Sequence, residues 1–198
     1  LIGCGSKTKE DLYSEGVKQI KKANPNGAIV LLKSALEKDQ NYFDARYQLA
    51  DAYMMVGKFE QAQKEYQKLI LQNPSRSEIK LKLGKVYNLT NKPDLALKEA
   101  EEYLRSHPGA PDALEIKGLA YAHKNMTGES ESYLRQTLKA DPGRVSAKLE
   151  LASLYSALGK EAEARRLLDE LIKGDPKDTR AYFMLAAMEI ALGNRDRA

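Results

Sequence analysis

The side chains able to do chemistry in this chain are two histidines, one cysteine and many carboxylates, and their spacing assembles none of them into a reactive set. His107 stands beside Pro108 and His123 lies inside a helical pattern. Neither has a cysteine partner or the paired spacing that a metal or a nucleophile–base couple requires. With Cys4 as the single cysteine, no intrachain disulfide and no cysteine-based metal site can form. The glycines stand singly rather than in a phosphate-cradling loop. The carboxylates are those that solvated helix faces ordinarily carry. The sequence therefore predicts a protein that is not an enzyme, with no catalytic residues, no metal and no cofactor.

At 198 residues the chain is long enough to bury a sizeable core, and 42% hydrophobic against 30% charged residues is the balance of a folded protein rather than a disordered one. The charges alternate in sign and sum to only +4 without a sustained Lys/Arg run, so nucleic acid is not expected as a partner. No apolar stretch approaches the roughly 20 residues that span a bilayer. The chain begins with Leu1 and stops inside a repeating pattern, and is expected to be a fragment of something longer.

That pattern has a period of 34 residues. Prolines fall at Pro74, Pro108, Pro142 and Pro176, and tyrosines at Tyr53, Tyr87, Tyr121 and Tyr155. Aliphatic residues recur at Leu36, Ile70, Leu104, Leu138 and Ile172. Small residues recur at Gly16, Ala50, Gly84, Gly118, Ala152 and Ala186, and again at Ala28, Ala62, Ala96, Ser130 and Ala164. Each unit reads as two amphipathic helices. In the unit starting at Phe43, the first carries Leu49, Ala50 and Tyr53, the turn is Gly57-Lys58, and the second carries Phe59, Ala62, Tyr66, Leu69 and Ile70. Asn73-Pro74 stops it, because proline lacks an amide hydrogen and disfavours helix before itself. Small residues at the eighth and twentieth places let paired helices approach closely, and stacking of pairs completes a core that no pair has alone.

These residues resemble the tetratricopeptide repeat. Leu49, Ala50, Tyr53, Ala62, Tyr66 and Pro74 match its pattern in the second unit, Leu83, Gly84, Tyr87, Ala96 and Pro108 in the third, and Leu151, Ala152, Tyr155, Ala164 and Pro176 in the fifth. The fourth keeps Gly118, Tyr121 and Pro142 but has Lys117 and Ser130 at two packing places; the first has Glu15, Gln19 and Gln40 where Leu, Tyr and Pro are expected, as in a cap. The resemblance implies an all-α fold, a right-handed α-solenoid of stacked antiparallel helix pairs. Its units would be 9–42, 43–76, 77–110, 111–144, 145–178 and a partial 179–198, preceded by a tether over 1–8.

The resemblance also implies a function, the binding of a protein or peptide in a concave groove lined by the first helices. The places that face such a groove are Tyr47, Gln48, Asp51, Met54 and Met55 in the second unit and Lys82, Lys85 and Asn88 in the third. Glu115, Leu119 and His123 follow in the fourth, Glu150 in the fifth, and Phe183 and Met184 in the sixth. Met54 and Met55 would offer flexible thioethers to varied apolar surfaces, the alternative being one methionine in the core and one exposed, while Lys82 and Lys85 would suit a carboxylate on a partner. The Lys/Asn/Arg clamp by which some relatives hold chaperone carboxyl termini is not found in register, which disfavours a co-chaperone. Phe183, Met184, Met188 and Ile190 on the last helix would stand uncovered and offer a route to a homo-oligomer.

Leu1-Ile2-Gly3-Cys4 resembles the lipobox of bacterial lipoproteins, which implies a lipid on Cys4, a polar tether from Gly5 to Lys9, and attachment to a membrane by acyl chains worth about 0.8 kcal/mol per buried methylene. Gly5 rather than aspartate after the cysteine implies the outer membrane, facing the periplasm. The opening through Tyr53 resembles the repeat lipoproteins of the PEP-CTERM/exosortase system, and with it a scaffold supporting exopolysaccharide export or protein sorting. The alternatives are a type IV pilus assembly lipoprotein, or the recognition arm of a larger enzyme such as a glycosyltransferase; a cytoplasmic address is the alternative location.

Overall fold

The computed structural model describes residues 7–191 and Gly193. Among these, all regular structure is helical. The helices are α1 (Lys9–Lys21), α2 (Pro25–Lys38), α3 (Phe43–Met55), α4 (Phe59–Gln72), α5 (Glu78–Leu89), α6 (Pro93–Ser106), α7 (Pro111–His123), α8 (Thr127–Ala140), α9 (Val145–Ala157), α10 (Glu161–Gly174) and α11 (Thr179–Ala191). The second helices start 34 residues apart, at Pro25, Phe59, Pro93, Thr127 and Glu161. Cys4 lies outside the described residues. Thr8, read from the sequence as tether, is the N-cap of α1, its side chain exchanging hydrogen bonds with Asp11 in a capping box.

One turn recurs between the members of each pair. Its fifteenth-place residue has positive φ in every unit: Ala23, Gly57, Asn91, Asn125, Gly159 and Gly193. The amide that follows bonds back to the eleventh-place carbonyl, as in Lys58 to Tyr53 at 2.9 Å, Lys92 to Tyr87 at 2.8 Å, Met126 to Tyr121 at 2.9 Å and Lys160 to Tyr155 at 2.8 Å. This left-handed cap satisfies carbonyls that the helix end would leave open, and Gly or Asn occupies it at small steric cost. Ala23 is the exception, a Cβ-bearing residue without a side-chain hydrogen bond to offset the strain.

The chain divides into two compact units, Leu1–Glu99 and Ala100–Ala198, with the boundary inside α6. In the first, each of α1 to α4 packs on the next and α1 also touches α3; Leu12, Ala28, Leu32, Ala45 and Leu49 belong to its core. In the second, α7 to α11 pack in sequence and the first helices α7, α9 and α11 touch in turn, around Leu134, Ala147, Leu151, Tyr155 and Leu168. The small eighth-place residues do what the spacing demands. A Cβ added to Gly16 would lie 2.9 Å from Leu32 Cγ, and one added to Gly118 would lie 2.8 Å from Leu134 Cγ and 3.3 Å from its backbone nitrogen.

Two departures from the repeat are absorbed locally. At the start, Glu15 pairs with Lys7 at 2.6 Å and Gln19 accepts a hydrogen bond from Asn24 at 2.9 Å, so polar residues serve where Leu and Tyr recur. In the fourth unit Lys117 takes a leucine's place and is only 7% exposed. Its ammonium lies 3.2 Å from Glu101 and 4.5 Å from the centre of the Tyr133 ring. Burial opposes the charge, but the ring hydroxyl and Glu101 outweigh it and raise the Lys117 pKa. Met188, expected uncovered, is 4% exposed and packs in the core of the second unit. On a helix whose first face lies against α9 and α10, its place one turn beyond Met184 points inward.

Candidate functional site

In the first unit, α3 and α5 bring three of the expected groove residues together. Lys82 donates to Asp51 at 2.9 Å, and its ammonium stands 5.6 Å from the centre of the Tyr47 ring. The hydroxyl of Tyr66, reaching through from α4, donates to the same Asp51 carboxylate, and the Tyr47 and Tyr66 rings meet edge-on at 6.4 Å. Burial and the Asp51 carboxylate push the Tyr66 hydroxyl far above the usual phenol range. At Lys82 burial works against the charge, yet the bond and charge of Asp51 prevail and raise its pKa. The patch is thus a hydrogen-bonded cluster whose charges answer one another. Of its neighbours, Met55 is 54% exposed while Gln48, Met54 and Lys85 are half-buried and Asn88 is buried.

The second unit builds a different surface. Glu115 of α7 is buried; it accepts a hydrogen bond from Ser146 and lies 3.4 Å from Arg144, which also meets Asp112 at 3.2 Å and Asp141 at 3.0 Å. Leu119 is half-buried and His123 exposed. Further along, α9 and α11 enclose a cleft of about 500 Å³ lined by Leu149, Glu150, Ser153, Arg180, Phe183 and Met184. Three of the expected residues, Glu150, Phe183 and Met184, meet here. Phe183 leaves 73% of its surface open. Arg180 is held by Asp178, whose carboxyl is drawn down to about 2 by that guanidinium and by the Arg180 amide. Desolvation raises the Glu150 pKa; His123 draws it down and Glu115 pushes it up.

Sequence reasoning missed Tyr66, Ser146, Arg144 and Arg180 as members of these surfaces. A signal for some of them was present. Lys82 lies 31 residues after Asp51, and Ser146 lies 31 after Glu115. One period less about one helical turn is the step at which neighbouring first helices touch, so complementary residues at that offset mark contacts.

Among the described residues no three His, Cys, Asp or Glu side chains converge to hold a metal; His107 stacks on Tyr103 at 4.3 Å, and its Nδ1 lies 3.0 Å from the Ser106 hydroxyl. Also among the described residues, no helix is long and apolar enough to cross a membrane.

Two sequence profiles described as tetratricopeptide repeat match the chain, one over residues 19–86 and 121–189 and the other over 90–145. The chain belongs to the tetratricopeptide repeat family. Among solved structures, it is similar to PilW, described as a widely conserved type IV pilus biogenesis factor, with 20% identity, a TM-score of 0.79, and coverage of 98% of this chain and 90% of that one. It is similar to the thermophilic repeat protein TTC0263 of Thermus thermophilus, with 20% identity and a TM-score of 0.76 over 92% of this chain and all of that one. The pilF protein of Pseudomonas aeruginosa is similar at 20% identity and a TM-score of 0.71, over 96% and 86%. No curated protein matches it significantly. Tetratricopeptide repeats bind protein or peptide partners, and the all-helical, solenoid-class fold is that of an interaction scaffold.

Proposed function

We propose that this chain is a non-catalytic scaffold that holds a partner polypeptide on its first helices, with the α9–α11 cleft seating a bulky apolar side chain of that partner. The observation that carries this reading is the cleft itself: the Phe183 ring stands open beside Met184 and Leu149, with Glu150 at the rim. An aromatic ring has few rotatable bonds to fix and so gives contact area at little entropic cost, and methionine adapts to varied shapes. In the first unit Asp51 and Lys82 are committed to each other, so the reading rests on the α9–α11 cleft alone.

The proposed setting is the bacterial cell envelope, with a lipid on Cys4 attaching the scaffold to the outer membrane and the repeats facing the periplasm. Its partners there belong to exopolysaccharide export or protein sorting. The sequence of the first few residues and the opening of the chain support this setting. A second reading, type IV pilus assembly, is favoured by the likeness to PilW and to the Pseudomonas pilF, a likeness of fold alone at 20% identity.

A photo-crosslinking residue in place of Met184, introduced into the full-length protein in living cells, tests both parts. The expected adduct is an envelope protein, lost with Phe183→Ala and displaced from the membrane fraction with Cys4→Ser. Adducts to cytosolic proteins that ignore Cys4→Ser would overturn the envelope setting. Adducts unaffected by Phe183→Ala would overturn the cleft, and adducts to pilus subunits or secretins would decide for the second reading.

A further inference from the structure

The second helices of the second unit carry a site of another kind. Between α8 and α10 lies a cleft of about 280 Å³, floored by Leu138, Leu151, Leu167 and the Tyr155 ring and edged by Arg135, Lys139 and Arg166. No carboxylate of the described residues lines it. The same place in the first unit, three repeats earlier between α2 and α4, shares the floor residues Leu36, Leu49 and Tyr53 but has Glu65 at the place of Leu167, and has a larger volume of about 620 Å³. There carboxylates line the cleft beside the cations: Glu37 stands on α2, and Glu65 takes both Arg46 and, at 2.8 Å, Lys68, leaving Lys33 without a partner among the described residues. In the second unit only Arg135 is engaged, by Glu131 at 2.9 Å and the Tyr155 hydroxyl at 3.1 Å. Among the described residues Lys139 and Arg166 have no ion-pair or hydrogen-bond partner, although they stand on opposite walls of an apolar slot.

We infer that this cleft binds an acidic amphipathic segment of a partner protein. An aliphatic side chain of that segment enters between Leu138, Leu151 and Leu167, and carboxylates flanking it meet Lys139 on one wall and Arg166 on the other. The Arg166 fork suits a carboxylate in two-point contact, and the apolar floor lowers the local polarity in which both pairs form. The chemistry favours a polypeptide over a polyanion. Acidic residues slightly outnumber basic ones across residues 100–198, so the cations form a local pair rather than the broad positive field that draws nucleic acid or an anionic bilayer. A recessed slot also matches a side chain better than it matches a lipid surface, which needs an outward apolar face. This site is edged by the second helices α8 and α10 and floored in part by α9, and it shares no lining residue with the Phe183 cleft.

The test is fluorescence anisotropy on the full chain with a labelled peptide in which a pair of leucines is flanked by glutamates. The controls are a peptide with lysine for every glutamate, one with serine for both leucines, a single-stranded oligonucleotide, and phosphatidylglycerol vesicles. The expected result is binding of the acidic peptide alone, weakened about tenfold or more by the Lys139→Glu, Arg166→Glu double variant and unchanged by Phe183→Ala. Both residues are exposed, so helicity by circular dichroism should persist; Lys139→Ala with Arg166→Ala, expected to weaken binding less, checks against a reversal that perturbs folding. No binding of the acidic peptide, equal binding of either control peptide, or no loss in both double variants overturns the inference. So does binding of the oligonucleotide or the vesicles through the same two residues while the acidic peptide stays free.

Discussion

The first helices present two surfaces that a single repeat register would make alike. In the first unit Tyr47, Asp51 and Lys82 are locked together over the buried Tyr66, so the surface offers a partner little that is not already bonded. In the second, Phe183 stands open and Met184 half-open beside a carboxylate that burial keeps short of its ordinary acidity. The backbone follows the same 34-residue repeat in both. The contrast teaches that in this fold the repeat decides where a side chain stands, and the neighbouring repeat decides whether it is free.

The comparison is broken most forcefully at Tyr66. Removing this fully buried ring (Tyr66→Ala) should cost about 3–5 kcal/mol, read by urea denaturation. Tyr66→Phe keeps the packing and should cost only about 1 kcal/mol for the lost bond to Asp51. Equal losses would mean that the hydrogen bond, and not the ring, seals the first surface.

Next in size is the close helix approach at the eighth place. Gly118→Val should destabilise by about 1–3 kcal/mol, because the new side chain meets the backbone nitrogen of Leu134 as well as its side chain. Gly16→Val should cost less, since the Leu32 side chain is what it meets and can give. A reversed order would show that the two units do not share one packing rule.

At the turn, Ala23→Gly should stabilise the first unit by about 0.5–1 kcal/mol, because glycine accepts the positive φ that alanine resists. The same change at Asn125 should gain less, asparagine being tolerated there already. Thermal midpoints of the two variants decide it.

The smallest effect is a pH dependence at Glu150. Its folded pKa is raised, so the folded state holds the proton more tightly than the unfolded chain, and ionising the group costs stability as pH rises through the folded pKa. Glu150→Gln should therefore raise the thermal midpoint slightly at neutral pH. The gain should vanish at a pH below the ordinary glutamate range, where the carboxyl is protonated in both states. A gain that persists in acid would place the cause in packing rather than charge.

Much of this molecule was legible in its sequence for reasons of local physics. The period, the paired helices, the turns at Gly57 and Asn91 and the close approach at Gly16 and Gly118 all follow from residue size, helical periodicity and backbone freedom within one unit. Lys117 stood out as a break in the leucine series, and the structure gives it Glu101 and Tyr133 in place of an apolar neighbour. The turn at Ala23 was not legible, because alanine carries no sign of positive φ.

What the sequence by itself determined is the repeat and hence the fold class, since a small residue, a tyrosine and a proline at fixed places act through contacts within a unit and its immediate stack. Which groove residues are free was decided only by tertiary structure. Lys82 finds Asp51 and Ser146 finds Glu115 across 31 residues, while Phe183 and Met184 find an open cleft. Whether a side chain at a groove place is satisfied or exposed depends on the side chain one helix over, and that pairing exists only once the helices have stacked.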